Sequence, residues 1–161
     1  MFEAVEFPSE GATLRGRLYR PARAAPWPAV VMTHGTTATI TMCLDRYAEV
    51  FCNAGLAVLL YDHRNFGLSG GEPRQLINPW LQARGYRDAM SYLLTRTDVR
   101  SDKIAAWGDS YSGMIALAVG YLAVEFIFDP ANVIRGVGVQ ILVSLPLWIY
   151  FGWSEDYGAR H

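Results

Sequence analysis

The feature that most constrains this chain is the run Lys103-Ile104-Ala105-Ala106-Trp107-Gly108-Asp109-Ser110-Tyr111-Ser112-Gly113. Ile104 to Trp107 is a short apolar stretch of the kind that forms a strand covered on both faces. It runs into a Gly-x-Ser-x-small turn, after which the pattern predicts a helix from about Tyr111 to Leu122. Strand, sharp turn and helix in that order form the layout of a nucleophile elbow, which holds a serine Oγ clear of the top of a parallel sheet. Small residues two before and two after the serine, Gly108 and Ser112, let strand and helix approach through a strained turn, with Gly113 just behind. The backbone N–H after the serine, that of Tyr111, then points to where an oxyanion would form. An ordinary strand-to-helix turn capped by Ser110 has the same local spelling. The rest of the chain has to decide between the two.

Phe2 to Phe7 and Ala12 to Tyr19 alternate apolar and polar residues and predict a hairpin across Pro8-Ser9-Glu10-Gly11. Pro21, Pro26 and Pro28 break the chain into a loop. Ala29 to Thr33 is a buried-strand run that ends in His34-Gly35-Thr36-Thr37. Thr41 is the expected N-cap of a helix carrying Leu44, Tyr47 and Phe51 at helical spacing, stopped by Asn53-Ala54-Gly55. Leu56 to Tyr61 is a second buried-strand run closing on Asp62, and a polar, glycine-rich loop leads to Pro79. Trp80 to Thr97 has a helical pattern with Tyr86, Met90 and Leu93 on one face, and Asp98 to Asp102 is expected as a turn. Val133 to Leu142 supplies one more run rich in β-branched residues. Strict alternation of strand and helix implies a mostly parallel sheet with right-handed crossovers.

Composition narrows the function classes. The net charge is −1 over 161 residues, with no basic run, so there is no electrostatic footprint for nucleic acid. Cys43 and Cys52 fall on one expected helix at a spacing that does not bring them together, so free thiols in a reducing, cytoplasmic setting are expected. No His/Cys/Asp cluster has ligand spacing, so no metal or organic cofactor is implied. The first residues carry early acids and neither a basic nor an apolar leader region, so no signal peptide is expected. Gly136 to Ser154 is uncharged for nineteen residues and long enough to span a bilayer, but Gln140, Ser144 and Pro146 stand against a span, the preceding pattern calls for a buried strand here, and no membrane partner is expected.

The ordered motifs resemble an α/β-hydrolase. Thr33-His34-Gly35-Thr36 resembles the His-Gly oxyanion loop after that fold's third strand, and Asp62-His63-Arg64-Asn65-Phe66-Gly67-Leu68-Ser69 its Asp-x-Arg-x-x-Gly-x-Ser loop. With Asn78-Pro79-Trp80-Leu81-Gln82, Gly85-Tyr86-Arg87-Asp88 and the elbow itself, the chain is similar to dienelactone-hydrolase-like enzymes related to fungal polyketide transferases and thiohydrolases of secondary metabolism. The resemblance covers about Met1 to Gly120. It implies an α/β fold with a mostly parallel sheet, helices on both faces and an N-terminal antiparallel hairpin, in a single domain over 1–161. It also implies Ser110 as the nucleophile, and the backbone N–H groups of Tyr111 and Thr36 as the oxyanion hole. The substrate would be a small-molecule acyl ester or thioester, hydrolysed or transferred to an alcohol. His34 is expected as a structural loop residue and Asp62 as a pin for the loop that follows it.

In this fold the acid and the base follow the serine in the order Ser, acid, His. Residues 121–161 form a divergent apolar tail in which the fold's last strands are not recognisable. In one reading the tail no longer encodes acid or base, leaving an inactive, truncated remnant. In the other, Glu155 or Asp156 and then His161 supply them in the right order. A strand within Val133 to Leu142 would lie at an uncovered sheet edge, so self-association is expected.

Overall fold

The computed structural model describes residues 2–127 and 139–141. Within them lie nine elements: β1 (Phe2–Ser9), β2 (Ala12–Tyr19), β3 (Trp27–Thr33), α1 (Leu44–Asn53), β4 (Ala57–Tyr61), α2 (Pro79–Leu94), β5 (Val99–Gly108), α3 (Tyr111–Ile127) and β6 (Val139–Ile141). They build one six-stranded sheet in the order β1-β2-β4-β3-β5-β6. β1 and β2 pair antiparallel, β2 joins β4 antiparallel, and β4, β3, β5 and β6 are parallel. This is the expected α/β topology with its N-terminal hairpin.

The hairpin register follows from its turn. Ser9 pairs with Ala12, leaving Glu10 and Gly11 as a two-residue loop, both at positive φ (48° and 77°). That pairing of positive φ values gives a turn whose twist matches that of the strands. The largely apolar strands β3 and β4 lie at the centre, where period-two alternation feeds two separate cores. Val31, Leu59, Tyr61 and Ala106 face α2 and α3, where they meet Tyr86, Ala89, Leu93 and Ile115. Val30, Met32, Val58, Leu60 and Trp107 face α1 and meet Leu44 and Ala48. The helices therefore cover both faces, and the loops at the carboxyl ends of the parallel strands converge on one edge.

Several boundaries differ from expectation for physical reasons. Thr41 is not the cap of α1: its Oγ1 lies 2.9 Å from Thr39 Oγ1, and the helix begins after Cys43, which takes the cap position in a left-handed conformation (φ 71°) without a side-chain bond. Residues Val99 to Asp102 are not a turn but the start of β5, because Val99 pairs with Trp27 before a register shift. The helix α2 starts one residue earlier than expected and stops at Leu94, capped by Asn78, whose Oδ1 accepts from the N–H of Trp80 and Leu81. Among the described residues no helix is long and apolar enough to cross a membrane. The uncharged stretch 136–154 lies mostly outside them, as do Glu155, Asp156 and His161. Cys43 and Cys52 are both free thiols.

Candidate active site

Ser110 sits between β5 and α3 with φ 52°, a left-handed conformation that non-glycine residues rarely adopt. Holding it there costs about 1–3 kcal/mol, so surrounding contacts must fix it. They do so from three sides. The flanking glycine permits the close crossing: a Cβ on Gly108 would lie 2.2 Å from the Ser112 carbonyl carbon. The Ser112 hydroxyl is 2.9 Å from both the Thr33 and Asp109 carbonyl oxygens, tying the first turn of α3 to the end of β3. The N–H groups of Ser112 and Gly113 donate to the carbonyls of Asp109 and Ser110. The side chain of Ser110 itself is solvent-exposed.

The loop after β3 lies against this turn. A Cβ added to Gly35 would be 3.3 Å from Ser110 Cβ and 3.2 Å from the Asp109 carbonyl oxygen. Thr36, the next residue, is therefore at the serine's side. The second elbow grip comes from α2. Tyr86, fully buried, donates its hydroxyl proton to the Trp107 carbonyl at 2.8 Å and lies 3.3 Å from that of Ser112. One turn earlier, Gln82 Oε1 accepts from the Tyr111 hydroxyl at 2.7 Å.

Two of the chain's three histidines, His34 and His63, are described, and both are buried. His34 Nε2 accepts from the His63 N–H at 3.0 Å, so the ring proton is on Nδ1, which donates to the Gly35 carbonyl at 2.9 Å. Burial lowers its pKa, outweighing the Gly35 carbonyl and Asp62, which raise it. The 3.7 Å approach of Asp62 Oδ1 to this neutral ring is thus no ion pair. With both nitrogens engaged within its own loops, His34 has no lone pair to offer Ser110. His63 packs edge-on against His34, Tyr61 and Tyr86, and burial, then the neighbouring His34, holds its pKa well below the usual value. Asp62 is a pin: Oδ1 accepts from the Ile40 N–H at 2.9 Å and Oδ2 from the Leu68 N–H at 3.0 Å.

The two buried neutral rings make stability depend on pH. Each has a folded pKa below its unfolded value of about 6.5, so the unfolded chain binds the extra protons. Their contribution is complete above about pH 6.5 and declines below it, by up to about 1.4 kcal/mol per pH unit for each ring. Urea midpoints should accordingly be level from pH 8 to 7 and fall by the equivalent of about 1–3 kcal/mol between pH 7 and 5.5, above the main carboxylate range. His63→Leu should flatten much of that fall; an unchanged profile would contradict the assignment.

Sequence reasoning expects Ser110, Tyr111 and Thr36 at one site; in the structure Tyr111 follows Ser110 at the start of α3, and Thr36 follows Gly35, which packs against Ser110. That reasoning did not foresee the roles of Tyr86 and Gln82. The available signal was a tyrosine inside an apolar helical stripe, since a buried hydroxyl has to find a partner. Among the described residues no three His, Cys, Asp or Glu side chains group to hold a metal.

Residues 10–126 match the X-Pro dipeptidyl-peptidase family (S15 family). The thiohydrolase aneE of Aspergillus aculeatus is 41% identical over 117 residues, which are 72% of this chain and 36% of that protein. The polyketide transferase af380 of Aspergillus fumigatus is 38% identical over 121 residues, 74% of this chain and 41% of the relative. The crystal structure of the α/β hydrolase GrgF from Penicillium sp. sh18 superposes with a TM-score of 0.70 at 34% identity, covering 74% of this chain and 41% of that one. The chain thus spans about two fifths of the length of these proteins.

Proposed function

The chain belongs to the X-Pro dipeptidyl-peptidase (S15) family and has the α/β-hydrolase fold, and from that premise we propose that Ser110 is the nucleophile of an acyl-transfer site for small-molecule esters or thioesters. The observation that carries the reading is the strained, exposed Ser110 between β5 and α3, with the loop after β3 packed against it at Gly35. The similarity to a fungal thiohydrolase and a polyketide transferase supports an acyl substrate, water or an alcohol as acceptor, and a setting in secondary metabolism.

In this mechanism Ser110 Oγ attacks the acyl carbonyl carbon, and the carbonyl oxygen takes up negative charge. The N–H groups of Tyr111 and Thr36 stabilise that oxyanion; losing one such donor typically costs about 100- to 1,000-fold in rate. Collapse expels the alcohol or thiol and leaves an acyl-serine, which water or a second alcohol resolves. A base must take the serine proton and return it to the leaving group. Glu155 or Asp156 with His161 keeps the order Ser, acid, His within this sequence.

A fluorophosphonate probe tests the reading directly. The 161-residue chain should take up one label, and Ser110→Ala should abolish it. Absence of labelling in the unaltered chain would overturn the proposal and favour a non-catalytic member of the fold.

A further inference from the structure

We propose that Tyr86 is a positioning residue for Ser110, its buried phenol fixing the spacing between the end of β5 and the start of α3 across the elbow. The proposal rests on the reading of Ser110 as nucleophile and adds to it a residue from a different element.

The geometry is specific. Trp107 lies three residues before the serine and Ser112 two residues after it. A single hydroxyl on α2 approaches the carbonyls of both, at 2.8 and 3.3 Å. One phenolic proton shared between two carbonyls acts as a brace: if strand end and helix start separate, one of the two contacts lengthens first. Burial pushes the Tyr86 pKa far above the usual phenol value, so the group stays a donor at every working pH. Tyr86 and Gln82 are four residues apart and so share a face of α2. The Gln82 contact with the Tyr111 hydroxyl therefore secures the elbow from the same side, at the residue whose N–H is the proposed oxyanion donor.

This brace is needed because the elbow is not in a relaxed conformation. A left-handed serine persists only where its surroundings over-determine it. The Ser112 hydroxyl ties the elbow to β3, and the Tyr86 phenol and the Gln82 amide oxygen tie it to α2 by hydrogen bonds. Small shifts of the serine hydroxyl relative to its oxyanion donors strongly reduce reactivity.

Tyr86→Phe removes the hydroxyl and keeps the buried ring. The maximal labelling rate of Ser110 by the fluorophosphonate should fall about ten-fold, with the probe's half-saturation concentration unchanged. Independently of labelling, hydrogen exchange at the Ser112 and Gly113 amides, which donate to the Asp109 and Ser110 carbonyls, should quicken about ten-fold while β3 amides keep their rates. Tyr92→Phe, which removes a hydroxyl from α2 on a side that meets Arg96, should change neither reading. Elbow exchange that is unaltered in Tyr86→Phe, or that rises equally throughout the sheet, would overturn the proposal. If the unaltered chain takes no label, the nucleophile reading fails and the exchange comparison alone decides the role of Tyr86. Should Tyr86→Phe not fold, Gln82→Met, which takes away the partner of the Tyr111 hydroxyl, serves the same comparison at the Ser112 and Gly113 amides: faster exchange supports the brace from α2 and unchanged exchange refutes it.

Discussion

Gly108→Ala should destabilise the protein by at least about 3 kcal/mol and abolish labelling of Ser110. An alanine Cβ there would lie 2.2 Å from the Ser112 carbonyl carbon, 2.3 Å from its oxygen and 2.5 Å from the Gly113 nitrogen. All three are backbone atoms of the first turn of α3, so no rotamer change relieves the overlap. Restoring ordinary contact requires the helix start to move by about 1 Å, and two attachments resist that movement. The Ser112 hydroxyl is bound to the end of β3, and the Tyr86 phenol bridges the strand and the helix. Moving α3 breaks one or both and releases the strained serine. Gly113→Ala is the fitting comparison. Its Cβ would approach only the Gly108 carbonyl oxygen, at 3.0 Å, and a shift of a few tenths of an ångström accommodates it at a cost of about 1 kcal/mol. Urea denaturation of the two variants should therefore separate them clearly. Equal midpoints would mean that the close crossing at Gly108 is not what sets the geometry.

The sequence made the elbow legible because its constraint is local. Gly108, Ser110 and Ser112 are close in the chain, and the need for small residues at a tight crossing leaves a readable spelling. The central strands were legible for a similar reason: a strand covered on both faces has to be apolar throughout, as in Val30-Val31-Met32 and Val58-Leu59-Leu60. The start of α1 was not legible. Thr41 has the chemistry of a cap, yet the path of residues 36–43 is set by Asp62, twenty-two residues beyond Ile40, which captures the Ile40 N–H. The start of β5 failed likewise. Arg100, Asp102 and Lys103 are polar enough for a turn, but pairing of Val99 with Trp27 draws the segment into the sheet, and Arg100 and Asp102 then meet at 2.9 Å along one side of the strand. Tyr86 belongs with these cases, because its hydroxyl reaches carbonyls 21 and 26 residues away. In each case a tertiary contact overrode a local preference.

That dependence on Asp62 leads to the second large effect. Asp62→Ala should cost about 2–4 kcal/mol, because the buried Ile40 N–H loses its acceptor and the Leu68 N–H, at a half-buried site, loses its own. Asp62→Asn should cost less but remain destabilising: its amide oxygen can replace one carboxylate oxygen, while its NH2 group faces the other donor. The loop is built tightly around this carboxylate. Gly67 has φ 48°, and a Cβ there would fall 2.1 Å from Asp62 Oδ2. Gly67→Ala alone should therefore be severe, at about 3 kcal/mol or more. With Asp62 already replaced by alanine, the clash is gone and only the left-handed backbone conformation remains, at about 1–2 kcal/mol. A double-mutant cycle by urea denaturation should thus show the two changes to be non-additive by more than about 1 kcal/mol. Additive costs would show that the carboxylate is not the reason for a glycine at that position. The effect should also reach the serine. Asp62 anchors Ile40, four residues after Thr36, so releasing it loosens the loop that lies beside Ser110. Labelling of Ser110 should fall in Asp62→Ala at temperatures where the protein remains folded, although Asp62 donates nothing to the chemistry. A catalytic acid would instead change the pH dependence of labelling in Asp62→Asn; a pin should lower its rate uniformly at all pH values.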